Sequence, residues 1–140
     1  MPRFTPNPNR PEHLVASIVA LAEQTNQLAL DSAMEATQAD SQGRVSIVVD
    51  RVCHAAVGAG VATGEIAWLV GELEAAGGDS EQRGEAGVAI SGMQMCMRAV
   101  AHAVQEVADR GGPIEISSSA EALRRVSAQL SGLLPRLQPV

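Results

Sequence analysis

The sequence predicts an all-α fold: an antiparallel helical hairpin coiled coil with two additional shorter helices, forming a four-helix bundle alone or by dimerisation. Three observations predict it. Apolar residues recur in alternating steps of three and four over long stretches. Aromatics make up 1% of the 140 residues, Phe4 and Trp68 with no Tyr, so buried area must come from Leu, Val, Ile, Met and Ala. Ala is the best helix former and lets backbones approach closely, which suits helices packed side by side. No strand pattern competes. Ile114–Ser117 alternates, but it is too short and has no partner.

Residues 1–11 hold four prolines and read as an extended tail. Asn9 with Glu12 three residues later can form a capping box that starts the first helix. Leu14, Ile18, Leu21, Thr25, Leu28, Ser32, Glu35 and Ala39 then make a heptad seam whose apolar character fades along its length. After a turn at 41–44, a second seam runs Val45, Val49, Val52, Ala56, Ala59, Thr63, Ile66, Val70 and Leu73, and stops at Gly77-Gly78. If the chain reverses around Gln42-Gly43, residue i faces roughly residue 85 minus i, so the first arm begins almost where the second ends. Each arm would be about 45 Å long. The hairpin therefore occupies 12–77.

Residues 78–87, "GDSEQRGEAG", read as a flexible linker. Two further helices follow in 88–137. One has the seam Ile90, Met93, Met97, Val100, Val104 and Val107 and stops at Gly111-Gly112-Pro113. The other has Leu123, Val126, Leu130, Leu133 and Leu137, with Ser117, Ser118 and Ser119 as candidate N-caps.

Charge narrows the function classes. The net charge is −6 and every basic residue is Arg, with no cluster beyond Arg124-Arg125, which argues against nucleic acid. The window Val88–Val107 reads as the most apolar, yet it contains Gln94, Arg98, His102 and Gln105, so no direct membrane insertion is expected. Cys53 and Cys96 lie far apart with no secretory signal, so a reduced cytosolic setting fits, with both thiols expected as small buried hydrophobes. Cys53-His54 and Cys96 with His102 do not build a metal site: adjacent residues point to different helix faces, and six apart does not return to one face. No motif supports nucleophilic catalysis, so neither an enzyme nor a cofactor is expected. Met93 and Met97 share the seam while Met95 does not, which favours core packing over a methionine binding face. Trp68 lies off the seam; packing against helix three or four and a place at an interface both fit.

One stretch goes beyond helix composition. Ala22-Glu23-Gln24-Thr25-Asn26-Gln27-Leu28-Ala29-Leu30-Asp31-Ser32-Ala33-Met34-Glu35-Ala36 resembles, without a gap, the descending arm of the cytoplasmic signalling hairpin of bacterial methyl-accepting chemotaxis receptors. Gln42-Gly43-Arg44 is similar to that family's turn, and Val48–Val52 and Ala62–Ile66 to its return arm. A weaker likeness covers Ala120 through Leu130.

The resemblance implies a non-enzymatic signal-transduction module whose tip binds the chemotaxis histidine kinase and its coupling protein, or other receptor tips, in a homodimer. It implies a cytoplasmic place, with membrane receptor arrays reached through protein contacts. Carried over position by position, Glu23, Gln27, Leu30, Asp31, Glu35, Gln38 and Ile47 would make tip contacts, and Gly43 and Arg44 would serve the turn and the kinase-coupling surface. Small polar seam residues then have a reason: they cost stability but set register and partner.

Departures from the family are specific. Gln38 stands where the family has Arg, so Glu35 lacks an i,i+3 ion partner. Asp31 replaces Asn, and Asp40 and Ser41 replace Gly and Glu. One residue is missing on the return side. Placed after Arg44 the gap leaves the seam intact, whereas inside a helix it would rotate everything beyond by about 100°. Gly58, Gly60, Gly64 and Gly71 loosen the return arm, each by roughly 1 kcal/mol against Ala. Glu81-Gln82 is the nearest lookalike of the family's methylated pairs, and reads as solvated linker. An alternative function stays open: helices three and four fold back over the hairpin seam, in the place a second subunit takes in the family, giving a self-contained bundle or oligomerisation module without kinase control.

Overall fold

A proline at the first helical position opens α1 (Pro11–Gln42) in the computed structural model, which describes residues 10–42 and 45–137, apart from the side chains of 40–42. The expected Asn9 cap and the tail before it fall outside the described residues; Glu12 sits in the first turn of α1. Next come α2 (Val45–Ala75), α3 (Ser80–Asp109) and α4 (Ile114–Leu137). Among the described residues there is no strand.

The helices close a ring. α1 packs on α2 and α3, and α4 packs on α3 and α2, so α2 and α3 lie diagonally opposite although they are consecutive. Cross-links show the directions. Cys96 Sγ donates to the Asn26 carbonyl at 3.7 Å, tying α3 to α1 at their midpoints. Cys53 Sγ and Ser119 Oγ lie 3.0 Å apart, and Arg136 pairs with Glu74, tying α4 to α2 in parallel. Within each hairpin the helices are antiparallel: Glu35 meets Arg51, and Gln94 meets Ser127. The α1–α2 register falls one residue from expectation, since Glu35 was to face 50 and Leu28 to face 57. Instead Arg51 reaches Glu35, and a Cβ on Gly58 would lie 3.0 Å from Leu28 Cδ2.

A helix with two neighbours must bury more than one seam. Beside Leu14 and Ile18, α1 buries Val15, Ala22, Ala29 and Ala36, a series repeating every seven residues. α2 adds Val48, Ala55 and Leu69 to its seam, and α3 adds Gln94 and Ala101. Fully burying each Leu, Ile or Met contributes about 1.5–3 kcal/mol. The core thus runs the length of one chain, with no second chain needed to cover it.

Three expectations are corrected. Residues 78–87 are not a flexible linker. Only 76–79 separate α2 from α3, because Asp79 and Gln82 form a capping box that starts α3 at once: the Gln82 amide donates to Asp79 Oδ1 at 2.8 Å, and the Asp79 amide to Gln82 Oε1 at 3.1 Å. Glu81-Gln82 therefore lies in a helical first turn. α4 begins at Ile114, directly after Pro113, not at the serines; Ser119 is buried mid-helix and donates to the Glu115 carbonyl at 3.0 Å. Finally, α2 rather than Val88–Val107 is the most apolar helix. It is long and apolar enough to cross a membrane by length and composition, and 33% of that window is buried in the bundle.

The stops after α2 and after α3, at opposite ends of the bundle, both use glycine pairs. The Gly78 amide donates to the Leu73 carbonyl and the Gly77 amide to Glu74; Gly112 donates to Val107 and Gly111 to Ala108. Each is a Schellman closure, with Gly77 at φ 75° and Gly111 at φ 98°.

Candidate functional site: the turn end of the α1–α2 hairpin

Steps of four and three along α1 place Glu23, Gln27, Leu30, Met34 and Gln38 on one stripe opposite the core. Glu23, Gln27, Leu30, Asp31 and Gln38 are exposed, as is Ile47 on α2. Gly43 and Arg44 lie outside the described residues. Leu30, Met34 and Ile47 are 50%, 61% and 57% exposed, which is a large apolar exposure for the turn half of one hairpin.

Between the two helices near this end runs an open groove of about 670 Å³. Its α1 wall includes Asp31, Met34, Glu35 and Gln38, and its α2 wall is Asp50, Arg51 and His54. The structure thus gathers Asp31, Glu35 and Gln38 into one wall. Glu23, Gln27, Leu30 and Ile47 do not line the groove, although Gln27 Nε2 donates to Asp31 Oδ1 at 3.1 Å and so fixes that carboxylate.

Glu35 is corrected here. It does not lack an ion partner: the guanidinium of Arg51 reaches it across the hairpin. At 64% exposure for Arg51 and 27% for Glu35, the pair contributes about 0–1 kcal/mol, so it sets geometry more than stability. With Arg51 engaged, the groove presents the carboxylates of Asp31 and Asp50 beside the apolar Met34. Such a surface suits a cationic side chain with an apolar neighbour.

Met34 and Arg51 were not singled out from sequence, and His54 was weighed only as a metal ligand beside Cys53. Met34 follows from the stripe spacing, and Arg51 from the antiparallel register once that register is known to within a residue. For a place in this groove, His54 carried no signal beyond its position one turn after Asp50. Elsewhere, Cys53 and Cys96 are free thiols on diagonal helices; both are half-buried rather than buried as expected, and burial pushes the Cys96 thiol above its ordinary value. Among the described residues, no three His, Cys, Asp or Glu side chains converge as metal ligands.

Comparison with known proteins adds one likeness. The chain is similar to the biofilm dispersion protein BdlA of Pseudomonas aeruginosa. The two are 36% identical over 109 residues, which cover 66% of this chain and 26% of that protein. The chain thus spans about a quarter of the length of the curated relative it matches. No family model matches the chain. No solved structure matches it either.

Proposed function

We propose that the chain is a non-enzymatic signal-transduction module of the chemotaxis-receptor type. It docks through the turn end of α1–α2 onto the chemotaxis histidine kinase and its coupling protein, or onto receptor tips, and so joins membrane arrays from the cytoplasm. One observation carries this reading: Leu30, Met34 and Ile47 stand exposed beside a groove walled by Asp31 and Glu35, where the family resemblance puts the docking tip. An apolar patch with a polar rim is the usual form of a protein-docking site. The likeness to a biofilm dispersion protein, named for a behavioural response, supports signalling over catalysis.

The charges favour a different partner over a like tip. With Gln38 in place of Arg, two copies meeting tip to tip would set Asp31 and Asp50 against the same acids, which is repulsive. A partner presenting Arg or Lys beside apolar side chains avoids that cost. The test is binding of the whole chain to purified coupling protein and kinase. Leu30→Ala should weaken it about tenfold, or about 1.4 kcal/mol, and Glu35→Ala severalfold, with unchanged helical circular dichroism. No binding at high micromolar concentration ends the proposal.

A second reading has one observation in its favour: α3 and α4 complete the bundle within a single chain. Under it the module docks or oligomerises without controlling the kinase. Binding that leaves kinase autophosphorylation unchanged supports that version.

A further inference from the structure

Helices that are apolar all round are normally buried all round. α2 is the most apolar of the four helices but packs mainly on two of them, α1 and α4, so part of its apolar surface faces outward. Val57, Val61 and Trp68 are 67%, 59% and 59% exposed. With Gly64 they follow one another in steps of four, three and four, a stripe that continues towards the turn end through His54 and Asp50, also exposed. The stripe borders a groove floored by Leu21 of α1 and Leu69, in which the space over Gly64 is open.

We propose that this face is a two-fold interface with a second copy of the chain, formed by two α2 helices crossing antiparallel near Ala59. The proposal does not depend on the tip reading, although it engages Asp50 and His54, which also wall the tip groove. A two-fold contact requires one patch to be complementary to itself. Antiparallel packing centred there sets Val57 against Val61 of the other copy, and each pair occurs twice. It lays the His54 ring over the bare backbone of Gly64, beside the Glu65 carboxylate, to which an imidazole N–H can donate. It also brings the Trp68 indole N–H to the Asp50 carboxylate, giving the ring's one polar atom an acceptor. Parallel packing would instead oppose Glu65 to Glu65 and Asp50 to Asp50, so the charges select the antiparallel arrangement. The contact from Asp50 to Trp68 runs about 27 Å along each helix. One helix face buries less than the roughly 800 Å² per partner of a standard interface, so association should depend on concentration in the micromolar range.

Trp68 is the single tryptophan, and it reports directly on its own face. The experiment is sedimentation and tryptophan emission of the whole chain from roughly 1 to 300 µM. The mass is expected to rise from 14.5 kDa towards twice that value, with a blue shift of emission over the same range. Val61→Glu should weaken association at least tenfold, and Leu30→Glu at the tip should leave it unchanged. Glu65→Lys should weaken it, and His54→Glu added to Glu65→Lys should restore it. A monomer with unshifted emission at every concentration overturns the proposal, as does a dimer abolished by Leu30→Glu but not by Val61→Glu. A blue shift that appears only with phosphatidylglycerol vesicles, at monomeric mass, assigns the face to lipid and also overturns it.

Discussion

Gln94 is a large polar side chain in a core of Val, Met and Leu. It is 7% exposed, and its Nε2 donates to the Ser127 carbonyl at 3.3 Å while Ser127 Oγ donates back to the Gln94 carbonyl at 3.4 Å. The other buried hydroxyls need no second helix: Thr25, Ser32 and Thr63 each donate to the carbonyl four residues earlier. Gln94→Ala removes packing and a cross-helix bond together and should cost about 1–3 kcal/mol, whereas Gln94→Leu keeps the volume and should cost clearly less. Urea unfolding of both variants checks the order; equal losses would mean that the hydrogen bond, not the volume, holds α3 to α4. Of these residues, Thr25, Ser32 and Thr63 were legible as seam positions. Gln94 was not, because only the α3–α4 contact shows that its face is inside.

At the scale of elements, the α2 glycines divide by what faces them. A Cβ on Gly58 would press Leu28, while Gly60 has nothing within 4 Å. Gly60→Ala should therefore stabilise α2 by about 1 kcal/mol, and Gly58→Ala should gain less or lose. Gly111 sits in the left-handed region, so Gly111→Ala should destabilise by about 1–2 kcal/mol. Thermal melts of the three variants check the signs; a stabilising Gly111→Ala would mean that the closure after α3 is not formed. The stops at Gly77-Gly78 and Gly111-Gly112 were readable because few other residues close a helix this way. The helix starts were harder. "GGDSEQRGEAG" is glycine-rich and looks like linker, yet Asp79 and Gln82 satisfy each other's amides and α3 starts there regardless.

For the whole molecule, the ring of four helices decides what the hairpin needs. α1 and α2 bury their second stripes, Val15–Ala36 and Val48–Leu69, because α3 and α4 are there to meet them. A chain ending at Gly77 would leave both stripes open and should have no folded monomer: at low micromolar concentration its helical signal should be largely lost, while the whole chain stays helical. A stable monomeric hairpin would show that the α1–α2 seam suffices alone.

The sequence by itself determined the all-α class, the pairing of the two long arms to within one residue, and their seams, since heptad spacing and glycine stops act locally along a helix. Only the tertiary structure decided which neighbours each helix has. Closure of the ring by α3 and α4, the Arg51 partner of Glu35 and the uncovered outer face of α2 all depend on side chains far apart in the chain. No local pattern encodes such distances.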